Sequence, residues 1–210
     1  FSYKRIKGIF RCYGYPQGIA TLLALLCTEA PRRTMKLGDE LLYVAMGPRI
    51  LPQGSPASPA LTNVACLRLD RRLAQYAINN SWRYSRYADD LTFSKPDGPE
   101  KPDIRSLLRM VHHVTASEGL TVHPEKTHVM SKGRRQEVTG LVVNGPSAPR
   151  VPKERRRLLR AALNNAQRGV AVEEGLAVEQ LMGHSAFVYA AHPELGRDFL
   201  EAFAALQKEK

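Results

Sequence analysis

Two adjacent aspartates, Asp89 and Asp90, lie between short apolar runs in the segment RYADDLTFS. Adjacent side chains of a regular strand point to opposite faces, so neighbouring acids can serve one site only where the backbone turns. We therefore predict a hairpin that carries both carboxylates at its apex. The alternative is an acidic turn without chemistry, because aspartate is common in turns for its own local hydrogen bonds.

A pair of neighbouring carboxylates suits a divalent cation. Two unit charges about 4 Å apart repel by about 1 kcal/mol in water and about 4 kcal/mol at an effective dielectric of 20. A bound cation reverses the sign of that energy, and Mg²⁺ typically takes one or two carboxylates together with waters and substrate phosphates. Two such ions, about 3.5 to 4 Å apart, clamp the attacking and leaving oxygens in nucleotidyl transfer.

The elements around these acids alternate helices with short hairpins, which indicates an α+β fold with a mainly antiparallel sheet. Apolar spacing and the Gly and Pro positions define the boundaries. The predicted helices cover residues 3–13, 16–28, 60–78 and 104–118; the predicted hairpins cover 35–46, 82–94 and 127–144, the last turning at KGRR. Beyond residue 146 the composition changes to a Pro-rich linker and three helices, so we place a domain boundary there.

Charge and composition favour a polyanionic partner. The chain has 210 residues, 43% hydrophobic and 24% charged, which is ordinary for a globular protein. Its 31 Lys and Arg against 20 Asp and Glu leave a formal net charge of +11. Nucleic acid is the expected partner, and a solvated basic surface is the alternative.

Cysteine spacing and hydropathy exclude several classes. The three widely spaced cysteines indicate neither a disulfide framework nor a zinc cluster, and they fit a reducing cytoplasm. The longest apolar run, Gly18 to Cys27, has about half of the roughly 20 residues that span a bilayer. We interpret it as a buried helix.

Several motifs together resemble a bacterial reverse transcriptase. LPQGSPASPALTN, residues 51–63, precedes YADD, residues 87–90, as in the palm of these enzymes. GLTVHPEKT, residues 119–127, and VTGLVVN, residues 138–144, are similar to the next two polymerase motifs. The VTG triplet resembles a retron signature. RVPKERRRLLRA and LMGHSAFVYAAHPE resemble the helical thumb of retron and group II intron enzymes.

The resemblance implies roles for residues in the first two motifs. Asp89 and Asp90 match metal-binding catalytic carboxylates, and Tyr87 and Ala88 would shape the floor under the primer end and the incoming nucleotide. Gln53 and Gly54 match nucleotide-contacting positions. Gly allows a close backbone approach, and Gln offers both a donor and an acceptor. The alternative for this loop is a plain entry turn to a helix.

The resemblance also implies roles for basic residues. Lys126 matches the lysine that helps neutralise or protonate the leaving pyrophosphate, although a lone lysine is more often a solvated surface residue. A basic cluster at the start of the thumb would contact phosphates without reading sequence, with a solvated helix face as the alternative. The cluster contains Arg150, Lys153, Arg155, Arg156, Arg157 and Arg160, which Lys132, Arg134 and Arg135 could join. Trp82, Tyr84 and Phe93 alternate along strands and are predicted core residues.

The family pattern also contains features that this chain does not match. Family members carry a third catalytic aspartate on a strand before the first helix, and no residue here corresponds to it. Asp39 and Glu40 fall in a predicted turn and Asp70 on a helix, so none is a convincing substitute. The fingers and the aromatic sugar gate are also missing. We expect a fragment, or a chain completed by another, with little polymerase activity alone.

The resemblance thus implies a palm over residues 1–145 and an all-helical thumb over 146–210. The implied function is that of a retron-like RNA-directed DNA polymerase using Mg²⁺, with Mn²⁺ as a substitute, deoxynucleotides, an RNA template and a DNA primer. A structured non-coding RNA, an effector protein and antiviral defence are implied as well. The alternatives are a group II intron-type enzyme or maturase and a non-catalytic RNA-binding scaffold. The VTG triplet favours the retron, and the intact YADD argues against the scaffold.

Overall fold

The structure is a computed structural model that describes residues 1–96, 102–145, 148–168 and 178–208. Contacts between residues divide the chain into two compact units, Phe1–Pro124 and Glu125–Lys210. The first unit contains α1 (Tyr3–Cys12), α2 (Gln17–Leu26), β1 (Arg32–Leu37), β2 (Glu40–Ala45), α3 (Ser58–Ala65), α4 (Leu67–Asn79), β3 (Arg83–Tyr87), β4 (Asp90–Ser94) and α5 (Ile104–Ser117). The second contains β5 (Glu137–Val138), β6 (Leu141–Val142), α6 (Lys153–Gln167), α7 (Val178–Ala191) and α8 (Pro193–Lys208).

The α+β class and the antiparallel pairing are confirmed. β1 pairs with β2, β3 with β4 and β5 with β6, each pair antiparallel. Among the described residues these pairs remain three separate two-stranded hairpins and do not form one continuous sheet. An isolated hairpin is only marginally stable in water, and β3/β4 and β5/β6 have partly buried residues while β1 and β2 are exposed along their whole length.

The β3/β4 hairpin packs on α4 and α5. Leu69 and Leu73 of α4 and Val114 of α5 are at most 2% exposed, and burial of such a side chain contributes about 1.5 to 3 kcal/mol. Trp82, Tyr84 and Phe93 pack against this cluster, which confirms their prediction as core residues. Tyr84 and Phe93 are cross-strand partners with ring centroids 5.0 Å apart. The aromatic face therefore anchors the hairpin.

The single helix predicted over residues 60–78 is wrong. α3 ends at Ala65 and α4 begins at Leu67, with Cys66 between them at a φ of −88° and a ψ of −1°. Nη2 of Arg5 donates to the carbonyl of Ala65 at 2.8 Å, and a side chain that inserts into the hydrogen-bond ladder is a known cause of helix breaks. The inserted arginine is 60 residues away in the sequence. The helical spacing of apolar residues gives no indication of this contact.

The prediction that residues 18–27 form a buried helix is half correct. α2 is a helix, and Ala20 and Ala24 are fully buried, but Leu22 is 58% exposed and Leu26 is 84% exposed. Ala24 packs with Ile6 and Leu61, so the small side chains form the inner face. No helix in the described part of the chain is both long and apolar enough to cross a membrane.

The hairpin predicted over residues 127–144 is also wrong in its pairing. Thr127 to Lys132 form no strand, and the turn lies at Thr139 and Gly140 instead of at KGRR. Both turn residues have positive φ, 47° for Thr139 and 80° for Gly140, a conformation that glycine adopts without steric cost. The amide of Asn144 then joins the two arms, accepting from the N–H of Gln136 and donating to the carbonyl of Arg134.

The second unit has its own core. α6, α7 and α8 surround a buried cluster, which contains Val151, Leu159, Ala162, Leu181, Val188, Phe199 and Phe203. The β5/β6 hairpin groups with these helices, since the compact units divide after Pro124. The division into a palm and a thumb near residue 146 stays a prediction.

A buried carboxylate lies at the end of α5. The side chain of Glu118 is 1% exposed and accepts from Nη2 of Arg5 at 3.0 Å and from Nε of Arg68 at 2.6 Å, with Arg72 at 3.6 Å. Burial by itself raises the pKa of Glu118, but the arginine hydrogen bonds outweigh it and hold the pKa below its ordinary value. The carboxylate is therefore charged in the folded state and connects α1, α4 and α5.

We expect Glu118→Gln to lower the free energy of unfolding by about 2 kcal/mol at pH 7, since hydrogen bonds to charged groups contribute about 1.5 to 3 kcal/mol. A carboxylate with a lowered pKa stabilises the fold above its unfolded value, 4.5, and loses that contribution as pH falls through the folded pKa. The difference between the variant and the wild type should thus shrink below pH 4.5. Urea unfolding across pH measures it, with exposed Glu40→Gln as the control; a pH-independent difference would contradict the assignment.

Candidate functional site

The acid pair lies at the turn of the β3/β4 hairpin, as predicted. Tyr87 and Asp90 are the last paired residues, and Ala88 and Asp89 form the connection between them. Ala88 has a φ of 51°, a left-handed conformation that costs a residue with a Cβ about 1 to 2 kcal/mol. The surrounding structure must therefore hold this turn in place.

The two faces of the hairpin have different roles. Tyr84 and Arg86 are on the face that packs against the helices, because they alternate with exposed residues along β3. Tyr87 lies on the opposite face with its cross-strand partner Asp90, and it is 72% exposed. Asp89 and Asp90 are both exposed. The acids and the tyrosine are thus open to a ligand while the neighbouring residues anchor the strand.

An ion pair beneath the turn connects the hairpin to α4. Arg86 donates from Nε to Oδ1 and from Nη2 to Oδ2 of Asp70, both at 2.8 Å, and Tyr84 donates to Oδ1 at 2.7 Å. The Arg86 side chain is only 8% exposed. Hydrogen bonds from Arg86 hold the pKa of Asp70 below its ordinary value, while burial and the bond to Asp70 raise the pKa of Tyr84. All three groups thus keep their usual protonation state near neutral pH.

The remaining donors of Arg86 connect the two sequence motifs. Nη1 donates to the carbonyl of Ala88 at 2.9 Å and to Oδ1 of Asn63 at 3.0 Å. Asn63 is the last residue of LPQGSPASPALTN and lies within α3, so this motif meets the aspartate hairpin through one guanidinium. Motif reading missed Arg86, Asp70 and Asn63. In the sequence, the only indication of an inward-facing role for Arg86 was its spacing: it lies two residues after Tyr84 and so on the same face of the strand.

The predicted nucleotide-contacting residues lie on an exposed turn before α3. Gln53 and Gly54 are both exposed, and Gly54 has a φ of 83°. No atom lies within 4 Å of the position that a Cβ on Gly54 would occupy, so the backbone there is open on that side. The hydroxyl of Ser58 donates to the carbonyl of Pro52 at 2.6 Å and closes the loop. Ser58, the first residue of α3, therefore connects the helix to the start of the loop.

The donor set at the turn fits Mg²⁺ as a two-carboxylate site. Asp89 and Asp90 are hard oxygen ligands, neither takes part in an ion pair that the described structure records, and both are accessible to water and phosphate. The described residues contain no group of three or more His, Cys, Asp or Glu side chains that could hold a metal ion. Asp70, on α4 beneath the hairpin, is paired with Arg86.

The basic residues of the second unit divide into two groups. Lys153, Arg156, Arg157 and Arg160 line one shallow depression along α6. Arg155 instead stacks on the ring of Phe187, with its guanidinium carbon 4.8 Å from the ring centroid. Arg150 pairs through its backbone with Val142 of β6. A second depression is lined by Arg150 together with Lys153 and Arg156, so of the predicted cluster Arg155 alone makes its described contact with an aromatic ring, and the phosphate-binding role stays a prediction.

Arg135 and Lys126 differ in their neighbours. Arg135 contacts Glu137 at 2.9 Å and Glu154 at 3.2 Å, so acidic neighbours already occupy its guanidinium. A hydrogen bond from its own backbone N–H is the main cause that lowers the pKa of Glu154, and Arg135 adds to it. Lys126 is exposed in a single 3₁₀ turn, Pro124–Lys126.

Comparison with known proteins identifies the family. Residues 7–156 match the family described as "Reverse transcriptase (RNA-dependent DNA polymerase)". The chain belongs to the reverse transcriptase family, as a bacterial member of the retron type.

Three curated relatives illustrate the similarity. The chain is 47% identical to the retron Mx162 reverse transcriptase of Myxococcus xanthus over 98% of its length, and 40% identical to the retron Mx65 reverse transcriptase of the same organism over 92%. It is 27% identical to the retron Ec86 reverse transcriptase of Escherichia coli over 98%. These matches cover 45%, 44% and 56% of the relatives, so the chain spans about half of their length. The prediction of a retron-type reverse transcriptase is confirmed.

We expect Tyr84→Phe to lower the free energy of unfolding by about 1 kcal/mol, because it removes the hydroxyl that donates to Asp70 and keeps the ring packing. Urea denaturation at pH 7 measures the difference. Tyr43→Phe is the matched control, since Tyr43 is 67% exposed on β2. Equal stability of both variants would show that the hydroxyl contributes nothing to the anchor.

Proposed function

We propose that this chain supplies the palm and thumb of a retron-like RNA-directed DNA polymerase that extends a DNA primer on an RNA template. The observation that carries the proposal is the exposed pair Asp89 and Asp90 at the turn of an anchored hairpin in a reverse transcriptase family chain. A binding scaffold gives no physical reason to keep two adjacent acids unneutralised at a strained turn.

In the proposed reaction, Asp89 and Asp90 would hold Mg²⁺, or Mn²⁺ in its place. The metal would supply charge stabilisation for the attacking primer hydroxyl and the leaving pyrophosphate oxygen. Tyr87, exposed opposite Asp90, would lie under the primer end together with Ala88. The two carboxylates would bind the cation, and the tyrosine ring would exclude water from one side of the reacting groups.

Other residues would orient the nucleotide and its products. The open backbone at Gly54 and the amide of Gln53 suit contacts with an incoming deoxynucleotide. Lys126 would neutralise or protonate the leaving pyrophosphate, and its exposure in a short turn fits that use.

The domain proposal follows the sequence motifs. Residues 1–145 would form the palm and residues 146–210 the helical thumb. Lys153, Arg156, Arg157 and Arg160, at helical spacing on one face of α6, would follow the phosphates of a bound template and primer. Arg155 belongs to the core-facing side through its contact with Phe187 and adds little to that surface.

The partners we propose follow from this chemistry. They are an RNA template, a DNA primer and deoxynucleotides, with a structured non-coding RNA as the natural template and an effector protein acting with it. A cytoplasmic location is part of the proposal, and the three free thiols of Cys12, Cys27 and Cys66 suit a reducing compartment.

We further propose that polymerase activity needs residues outside these 210. Within the described ranges no third acid joins Asp89 and Asp90, and the curated relatives are about twice as long. A third carboxylate from elsewhere in the enzyme would complete the metal site. Primer extension is therefore best measured with the full-length enzyme that contains this chain.

We expect Asp89→Asn and Asp90→Asn each to reduce primer extension by about 100-fold or more, because a metal site contributes several kcal/mol to the transition state and 1.4 kcal/mol is about tenfold. Single-nucleotide incorporation on an RNA template measures the rate. Asp39→Asn is the matched control, since Asp39 is another exposed acid in a hairpin turn. Full activity of both variants would remove the catalytic assignment and leave the RNA-binding scaffold.

The phosphate-tracking surface is tested by charge reversal. We expect the double variant Arg157→Glu and Arg160→Glu to weaken RNA–DNA duplex binding and to reduce the slope of log affinity against log salt by about 2, because each phosphate contact contributes about 0.9. Fluorescence anisotropy at several salt concentrations gives both quantities.

The matched control is Arg105→Glu with Arg109→Glu, two exposed arginines on one face of α5 that impose the same change in net charge. If α6 contacts the phosphates, the α6 variant should show a larger loss of affinity than the α5 variant and a larger decrease in the slope of log affinity against log salt. Equal effects of the two variants would mean that only the net charge of the chain matters.

A further inference from the structure

We infer that Arg86 is a positioning residue for the acid pair: anchored on Asp70, it fixes the peptide between Ala88 and Asp89 and so sets the direction of both carboxylates. The inference rests on the proposed function, because it assigns a supporting role at the same site. It concerns a residue that touches neither the metal nor the substrate.

The geometry gives Arg86 a single orientation. Its bidentate contact with Asp70 uses Nε and Nη2, and the planar guanidinium then directs Nη1 toward the turn. From there Nη1 reaches the Ala88 carbonyl at 2.9 Å. That carbonyl belongs to the peptide whose nitrogen is the amide of Asp89. A hydrogen bond to it therefore limits rotation of the peptide plane directly before the first acid.

The turn needs such a restraint. Ala88 has a φ of 51°, which a residue with a Cβ seldom adopts unless its surroundings impose it. The described contacts of the turn are the Tyr87 and Asp90 pairing on one side and the Arg86 side chain on the other. Loss of the side-chain contact leaves the Ala88–Asp89 peptide free to rotate toward a more favourable conformation.

Asp70 has a second effect, which concerns charge. Arg86 is separated from Asp89 by only two residues, and an uncompensated guanidinium so close would compete with a divalent cation for the carboxylates. The pair with Asp70 at 2.8 Å occupies its charge and directs it away from the exposed face. Asn63 takes the remaining position on Nη1. The acid pair is left accessible and negative.

The test uses the full-length enzyme with Arg86→Gln. We expect the Mg²⁺ concentration for half-maximal primer extension to rise about tenfold, since residues that orient metal ligands typically change metal affinity or activity by 10 to 100-fold. The KM for the deoxynucleotide should change little, and kcat should fall. Mn²⁺ binding followed by electron paramagnetic resonance without nucleotide should show the same loss of affinity, which gives a readout independent of turnover.

Arg5→Gln is the matched control. This substitution also removes an arginine that pairs with a carboxylate, that of Glu118, and donates to a backbone carbonyl, that of Ala65. Arg5 lies far from the acid pair in sequence. We expect it to lower the melting temperature without shifting the Mg²⁺ or Mn²⁺ dependence. If both variants lose stability and neither shifts the metal dependence, Arg86 is only structural and the inference is wrong.

Two further variants keep the result decisive. If Arg86→Gln does not fold, Arg86→Lys retains the charge but not the bidentate fork, and the same shift in metal dependence is required of it. Asp89→Asn, measured in parallel, tests the proposed function separately. An inactive Asp89→Asn beside an Arg86 variant with unchanged metal dependence overturns the positioning role alone. Full activity of Asp89→Asn overturns the proposed function itself.

Discussion

The ion pair between Arg86 and Asp70 is the interaction on which the candidate site depends. It joins the strand before the acid pair to α4 with two parallel hydrogen bonds, and the same guanidinium holds the turn and the end of the loop motif. Ion pairs on an open surface contribute little to stability, but this arginine is almost completely covered. Its value is geometric, because a planar fork fixes direction as well as distance.

A second cluster of charges connects three helices of the same unit around Glu118. Glu118 gathers arginines from α1 and α4 onto the end of α5, and one of them, Arg5, also breaks the helical path between α3 and α4. Asn63 of α3 and Asp70 of α4 both accept hydrogen bonds from the guanidinium of Arg86, so each of the two helices contributes one partner.

Local signals in the sequence were sufficient for much of this fold. The aspartate turn, the ends of α1 and α5 and the β1/β2 hairpin all follow from alternation and from Gly or Asp at turns, which act over a few residues. Errors arose where distant residues decide the outcome. Arg5 interrupts a periodic helix from 60 positions away, and the positive φ values at Thr139 and Gly140 select a turn that apolar alternation did not indicate. Asp70 was considered only as a catalytic acid, because a sequence does not show which cation will occupy it.

The left-handed backbone of Ala88 has a consequence for how this motif can vary. A β-branched side chain is more strained than alanine at positive φ, so valine, isoleucine or threonine at position 88 would raise the energy of this turn, although Thr139 adopts a φ of 47° in the β5/β6 turn. A variant with such a residue between the tyrosine and the acid pair would therefore depend more strongly on contacts that hold the turn, such as the hydrogen bond from Arg86 to the Ala88 carbonyl. The small side chain of Ala88 therefore suits both the left-handed backbone of the turn and the hydrogen bond that Arg86 donates to its carbonyl.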